Sequence, residues 1–372
     1  MTHPVRFIRL GTVLARFAIL ALALWPGFAA ALDLTLATFT TRFSHSGPGL
    51  LLQHLQKGDE PQVEQDIAAI LAMQADVVVL TNFDFDYDGL ALAALQKRLA
   101  DKGLVYADSL GLQPNTGIPT WLDLNHDGAL SGPRDAQAYG RFAGQAGMAI
   151  LSRYPLDRDH IRDFTALLWK DLPDANLPPD MTDDARLLQR LSTSGHYEVP
   201  VIYAKGKALR LLVWSATPPI FDGPEDRNGR RNADETSLWL HLLAGDLPQG
   251  PGVTYSPPAS PFVLMGQPNT DPNDGDGRHD TLKALLSSPY VKDPLPKGNS
   301  GHVDKGQSGD PALDTALVGK SLIGLRLDVI LPSKDITVKE AGVMWPASSD
   351  PFAATLEYAS PHRPVWAKLT LP

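Results

Sequence analysis

The sequence predicts a single α/β domain. Short apolar runs of strand length alternate loosely, from end to end, with segments whose apolar residues recur at helical spacing. No stretch has the composition of an interdomain linker, and there is no internal repeat or low-complexity tract. Behind the first 31 residues lie 341 more, enough to bury a large core without disulfides. The chain has no cysteine.

Residues 1–31 read as an export signal. Arg6, Arg9 and Arg16 give a basic start, and Phe17 to Leu24 is a continuous apolar run. Pro26-Gly27 breaks it, and Ala29-Ala30-Ala31 offers small residues for cleavage before Leu32. An uncleaved anchor is the alternative, but the run falls short of the roughly 20 residues a spanning helix needs. No adjacent arginine pair is present, so the general secretory route is expected, with a periplasmic or secreted destination. The signal holds three Arg and no acid, so the remaining chain carries a formal charge of −12 against −9 for the whole. That balance disfavours non-specific nucleic-acid binding, which relies on basic surface. No later segment is long enough to span a membrane.

Strands are expected at Leu34–Phe39, Asp76–Leu80, Met148–Leu151, Leu209–Trp214, Phe262–Met265, Leu325–Leu331 and Val365–Leu371. Each is a short run dominated by apolar side chains. Val63, Ile67, Ile70 and Leu71 share a helical face, as do residues from Leu90 to Leu99, with Gly103 as a stop. Two further helices are expected. One runs from Ala233 to Ala244, with Asp234-Glu235 near its start suiting the helix dipole. The other runs from Asp280 to Leu286. Long Pro-, Gly- and Asp-rich loops occupy Leu112–Gly140, Asp171–Asp184, Thr217–Asn232, Gly266–Asp280 and Pro294–Asp314. Loops of that length in a compact domain commonly build or cover a site.

Polar clusters gather at strand ends: Thr38-Phe39-Thr40, Leu80-Thr81-Asn82, Trp214-Ser215-Ala216 and Gly266-Gln267-Pro268-Asn269. Ser360-Pro361-His362 precedes the last strand, and Arg326-Leu327-Asp328 lies within another. Convergence of such clusters is how α/β folds assemble sites.

This order resembles the endonuclease/exonuclease/phosphatase superfamily, roughly from Leu32 to Leu371. The family's loop Gly-Asp-x-Asn-x-Asp-Pro is matched by Gly266-Gln267-Pro268-Asn269-Thr270-Asp271-Pro272. The chain looks closest to a secreted bacterial branch that carries Asn-Glu-Phe-Asp-Tyr-Asp where this one reads Thr81-Asn82-Phe83-Asp84-Phe85-Asp86. Gly147 to Pro155, Thr217 to Asn232, Asp271 to Asp276 and His362-Arg363 fit the same pattern. The resemblance implies a four-layer α/β sandwich of two packed mixed sheets flanked by helices. It also implies phosphoester hydrolysis assisted by a divalent metal.

Carried over position by position, the family's roles fall on altered residues. The metal-orienting Asn falls on Thr40 and the main metal ligand, a Glu, on Asn82. The phosphate-contacting His falls on Ser215 and the water-activating Asp on Gln267. The Asp that orients the general-base His falls on Pro361. Asn269, Asp328 and His362 match. Losing one catalytic group typically costs on the order of 10² to 10⁴ in rate. The expectation is therefore an impaired or inactive relative that binds a phosphate-bearing or other polar ligand, with no resident cofactor. The alternative is an active phosphoesterase with Mg²⁺ or Mn²⁺ at a rebuilt site.

Three acidic groups need their own reading. Asp84, Asp86 and Asp88 either rebuild a metal site or satisfy local backbone donors. Asp123, Asn125 and Asp127, followed by Gly128, match the start of a calcium loop. Arg134 stands at its twelfth position, so a structural Ca²⁺ competes with an Asx-rich turn. Asp271, Asp274, Asp276, His279 and Asp280 either bind a metal or cap the next helix. Arg227, Arg230 and Arg231 beside Asp222, Glu225 and Asp226 either bind an anion at the site mouth or form an internal network.

Overall fold

The computed structural model describes residues 32–248, 255–357 and 359–372. The expected signal segment lies outside them. Leu32–Pro372 forms one compact unit. No helix among the described residues is long and apolar enough to cross a membrane.

The first sheet is built around β1 (Leu32–Thr40) and β2 (Val77–Phe83), which run parallel. Antiparallel to β2 comes β4 (Gly147–Ser152), then β3 (Asp108–Leu112) at the edge. On the other side β1 pairs with β13 (Val365–Leu371), and β12 (Thr337–Val343) closes that edge. The second sheet has the order β11 (Val329–Pro332), β8 (Phe262–Gln267), β7 (Lys207–Ser215), β6 (His196–Ala204), β5 (Arg162–Asp163). Its β7 and β8 are also a parallel pair. A small hairpin joins β9 (Ala316–Val318) to β10 (Ile323–Leu325).

Alternation along the strands sets the layers, because successive side chains face opposite ways. Leu34, Leu36, Val77 and Val79 meet Leu211, Val213, Val263 and Met265 between the sheets. The intervening Phe39, Val78 and Leu80 pack outward on Leu51 of α1 (Leu50–Lys57), Ile67 of α2 (Pro61–Met73), Leu95 of α3 (Leu90–Asp101) and Leu356 of α7 (Pro351–Glu357). Leu212, Trp214 and Leu264 face the opposite way. They pack on Leu238, Trp239 and Leu242 of α5 (Arg227–Ala244) and on Leu282 and Leu285 of α6 (His279–Leu286). Ala185 of α4 (Asp183–Leu188) joins this outer layer. The result is the four-layer sandwich, with helices outside two mixed sheets.

Three expectations are corrected. Leu325–Leu331 is not one strand: β10 and β11 end and begin on either side of Arg326-Leu327-Asp328, which turns toward the site. Helix α5 starts at Arg227 rather than Ala233, so the arginines lie on a helix. Asp234 and Glu235 are therefore buried inside it instead of standing at its start. Strand β6 carries no clear strand signal because Glu198 and Pro200 interrupt its apolar pattern. Pro200 is tolerated because β5 pairs only with Tyr197 and Glu198, and the Pro200 carbonyl simply accepts from Asp157.

Candidate functional site

Both parallel pairs end at the same place. Thr40 closes β1, Thr81 and Asn82 lie at the end of β2, Ser215 closes β7 and Gln267 closes β8. Close approach at β8 requires a glycine. Gly266 has φ +145°, and a Cβ there would stand 2.1 Å from the Trp214 carbonyl oxygen. That contact keeps Ser215 and Gln267 in register.

A continuous hydrogen-bond network crosses from one sheet to the other. His362 donates from Nδ1 to Oδ2 of Asp328 at 2.7 Å. Thr315 donates to the same oxygen at 2.8 Å, and Thr40 donates to Oδ1 at 2.7 Å. A hydroxyl has one proton, so Thr40 must accept from Thr81, 2.7 Å away. The 3.4 Å contact from Thr81 to Gln267 Oε1 is correspondingly weak. Ser215 donates to that Oε1 at 2.9 Å. Gln267 in turn donates to Asn269 Oδ1 at 3.2 Å, and Asn269 donates to the Ala216 carbonyl at 2.8 Å. Asp328 and Thr81 are fully buried, and Thr40, Ser215, Gln267 and His362 nearly so.

Thr40, Ser215, Gln267, Asn269, Asp328 and His362 thus come together as the sequence expects. Asn82 does not join them. It stands at a bulge in left-handed conformation, φ 58°, and its amide folds back to donate to the Thr41 carbonyl at 2.6 Å. The role assigned to position 361 is also corrected. Asp328 supplies the carboxylate that orients His362, while the Pro361 carbonyl accepts from Leu317 and ties down the β9–β10 hairpin. Thr81 stands out in the sequence only as part of the strand-end cluster Leu80-Thr81-Asn82, and Thr315 carries no sequence signal. Thr315 matters because its Oγ1 also accepts the N–H groups of Leu327 and Asp328, fixing the segment that aims the carboxylate.

The surrounding acids are engaged in holding loops. Asp84 accepts from the N–H groups of His45 and Ala146, and burial raises its pKa. Asp66 accepts from those of Arg42 and Ser360, and burial pushes it up to about 7. Asp86 receives the Leu90 and Ala91 N–H groups at the start of α3. Asp271 receives those of Asn273, Asp274 and Arg326, and Asp274 those of Ser308 and Gly309. Neither Asp271 nor Asp274 caps α6, whose N-cap Arg278 makes no side-chain cap bond.

In the loop of Asp123, Asn125 and Asp127, the two carboxylates accept from the loop itself. Asp123 accepts from Asp127 and Gly128, and Asp127 accepts from Ala129 and Asn125. Among the described residues no group of three or more His, Cys, Asp or Glu is arranged to hold a metal ion. A hard divalent cation wants carboxylate oxygens with free lone pairs. The network offers one carboxylate, Asp328, with three donors already on its two oxygens, so these residues do not fit Mg²⁺ or Mn²⁺.

Helix α5 braces the site from behind. Asn232 donates to the carbonyls of Thr217 and Pro268, fastening the chain after β7 to the chain after β8. Glu235 accepts from the Thr193 and Thr217 N–H groups. Arg231 is buried and fans onto the carbonyls of Gln137, Arg190, Leu191 and Ser192. Its guanidinium lies 5.8 Å from the Trp169 ring centroid. It is an internal brace. Arg230 donates to the Glu225 carbonyl, and Arg227 lies 3.7 Å from Asp180.

The sequence model of the Endonuclease/Exonuclease/phosphatase family matches residues 51–350. The chain belongs to this family. Among solved structures, it is similar to an endonuclease/exonuclease/phosphatase from Beutenbergia cavernae DSM 12333. That likeness has 16% identity and a TM-score of 0.52, and covers 91% of this chain and 72% of that one. A second, from Bacteroides vulgatus, has 13% identity and a TM-score of 0.50, covering 92% and 100%. At these identities the likeness shows the fold. No curated protein matches the chain. In this member of the Endonuclease/Exonuclease/phosphatase family, one carboxylate, one histidine and neutral side chains meet where the two sheets come together.

Proposed function

We propose that this chain is an exported family member that no longer hydrolyses phosphoesters and serves as a binding or scaffold protein for a phosphate-bearing or other polar ligand. One observation carries the reading: Asp328 is the lone carboxylate of the network, and Thr40, Thr315 and His362 occupy its oxygens. Neutral replacements at Thr40, Asn82, Ser215 and Gln267 support it. The basic, apolar and small-residue order of residues 1–31 supports export. Sequencing the amino terminus of protein recovered from the periplasm or medium should begin at Leu32.

The test of inactivity is direct. Calorimetric titration with Mn²⁺ should give no saturable heat, and bis(nitrophenyl) phosphate should persist at its uncatalysed rate. Saturable Mn²⁺ binding together with hydrolysis abolished by EDTA overturns the proposal. It would favour a second reading, a metal-dependent phosphoesterase. The feature that favours that reading is the Asp328–His362 pair, a carboxylate-oriented imidazole of the kind used as a general base.

A further inference from the structure

A cavity of about 270 Å³ lies outside the network, lined by Gln113, Asn115, Asp163 and Arg190 among others. The 192–194 segment joins the two: Thr193 accepts the Asn115 N–H, and Ser194 donates its N–H to the Ser215 carbonyl.

Two opposite charges line this cavity without meeting. Arg190 is half-buried and donates from Nη1 to Asn115 Oδ1 at 2.8 Å. Its backbone is fixed at both ends, by Gln137 Oε1 on its N–H and by Arg231 on its carbonyl. Among the described residues its guanidinium forms no ion pair. Asp163 lies on β5 opposite Tyr197, and its Oδ1 accepts the Thr165 N–H at 2.8 Å. Among the described residues it too has no cationic partner. Both charges act on the nearby Tyr197 phenol, whose hydroxyl donates to the Gln113 carbonyl. Burial pushes its pKa up, Asp163 adds to that, and Arg190 opposes it. A fixed guanidinium favours a carboxylate, which it can grip in bidentate fashion. The exposed Asp163 carboxylate, at the edge strand, favours an ammonium. A ligand with a single charge leaves the other group facing it unmatched.

We propose that this cavity binds a small zwitterion, with its anionic group on Arg190 and its ammonium on Asp163. The assignment uses residues outside the Asp328 network and does not depend on whether that network is inactive.

Titration calorimetry on the full chain tests it, with glycine, β-alanine, γ-aminobutyrate and ε-aminocaproate as probes. Propionate and propylamine serve as singly charged controls. At least one zwitterion should bind saturably, and both controls should bind more weakly by about tenfold or more. Arg190→Gln and Asp163→Asn should each weaken the zwitterion to a similar degree while keeping the parent's melting temperature. The proposal is overturned if no probe binds, if propionate or propylamine binds as tightly as the best zwitterion, or if folded variants bind unchanged. Should a variant fail to fold, the panel on the parent chain still decides.

Discussion

At the residue scale, two side chains make opposite demands on their surroundings. Asp328 is fully buried and holds three donors, so removing it strands two hydroxyls and an imidazole N–H. Asp328→Ala should therefore lower unfolding free energy by about 3 kcal/mol or more, measured in urea. A loss below about 1 kcal/mol would mean that the network is not a stabilising unit. Asn82 holds a left-handed backbone that asparagine tolerates and other side chains resist. Asn82→Gly and Asn82→Ala both lose the bond to Thr41, so their difference isolates the backbone term. Glycine should come out ahead by about 1 kcal/mol. Equal stabilities would remove the strain. Asp328 and His362 were legible in the sequence through their spacing in a known pattern. Their partnership was not, because the carboxylate reaches the imidazole from 34 residues upstream. The family pattern placed that role instead at position 361.

Element-scale behaviour centres on α5. Arg231 serves four carbonyls with one planar group, which a lysine ammonium cannot reproduce. Arg231→Lys should cost about 2 kcal/mol or more by chemical denaturation, since buried carbonyls lose their donors. A near-neutral result would mean that water takes over those contacts. Behind α5, the His196 imidazole lies between Ser192 Oγ and the Glu235 carbonyl, fully buried. Burial holds its pKa down at about 4, against 6.5 when free. Its contribution to stability is thus present above pH 6.5 and is lost as pH falls through 4. Glu235, pushed up by burial from 4.5 to about 7, runs the other way, losing stability as pH rises through that window. Comparing the parent with His196→Gln isolates the histidine. The parent's advantage should shrink between neutral pH and about pH 4 by up to about 3 kcal/mol. An advantage that stays constant over that range refutes the assignment. The carboxyl-terminal half of α5 was readable from its apolar face. The first six residues were not, because Arg227-Asn228-Gly229-Arg230-Arg231-Asn232 has no apolar side chain, and its buried Arg231 and Asn232 are held by donating to carbonyls rather than by hydrophobicity.

On the scale of the whole molecule, the layers follow from strand alternation, and that is why the architecture was legible before its details. The runs at Val77–Leu80 and Leu211–Trp214 are apolar on both faces, as strands covered on both sides must be. Edge strands such as β12, with exposed Thr337, Lys339 and Glu340, lack that signature and passed unread. Because one core joins the two sheets, truncating Leu211 at its centre should weaken the entire fold. Leu211→Ala should cost about 3 kcal/mol while leaving a single cooperative calorimetric transition. Two separated transitions would contradict a unified core. The pairing of β1 with β13 has a further consequence for how the chain comes into being. Leu32 lies opposite Leu371, so β1 waits for β13, made more than 300 residues later. A chain emerging residue by residue, from a ribosome or through a translocation pore, cannot complete its larger sheet until Val365–Leu371 has emerged, and until then β1 has an unfilled flank.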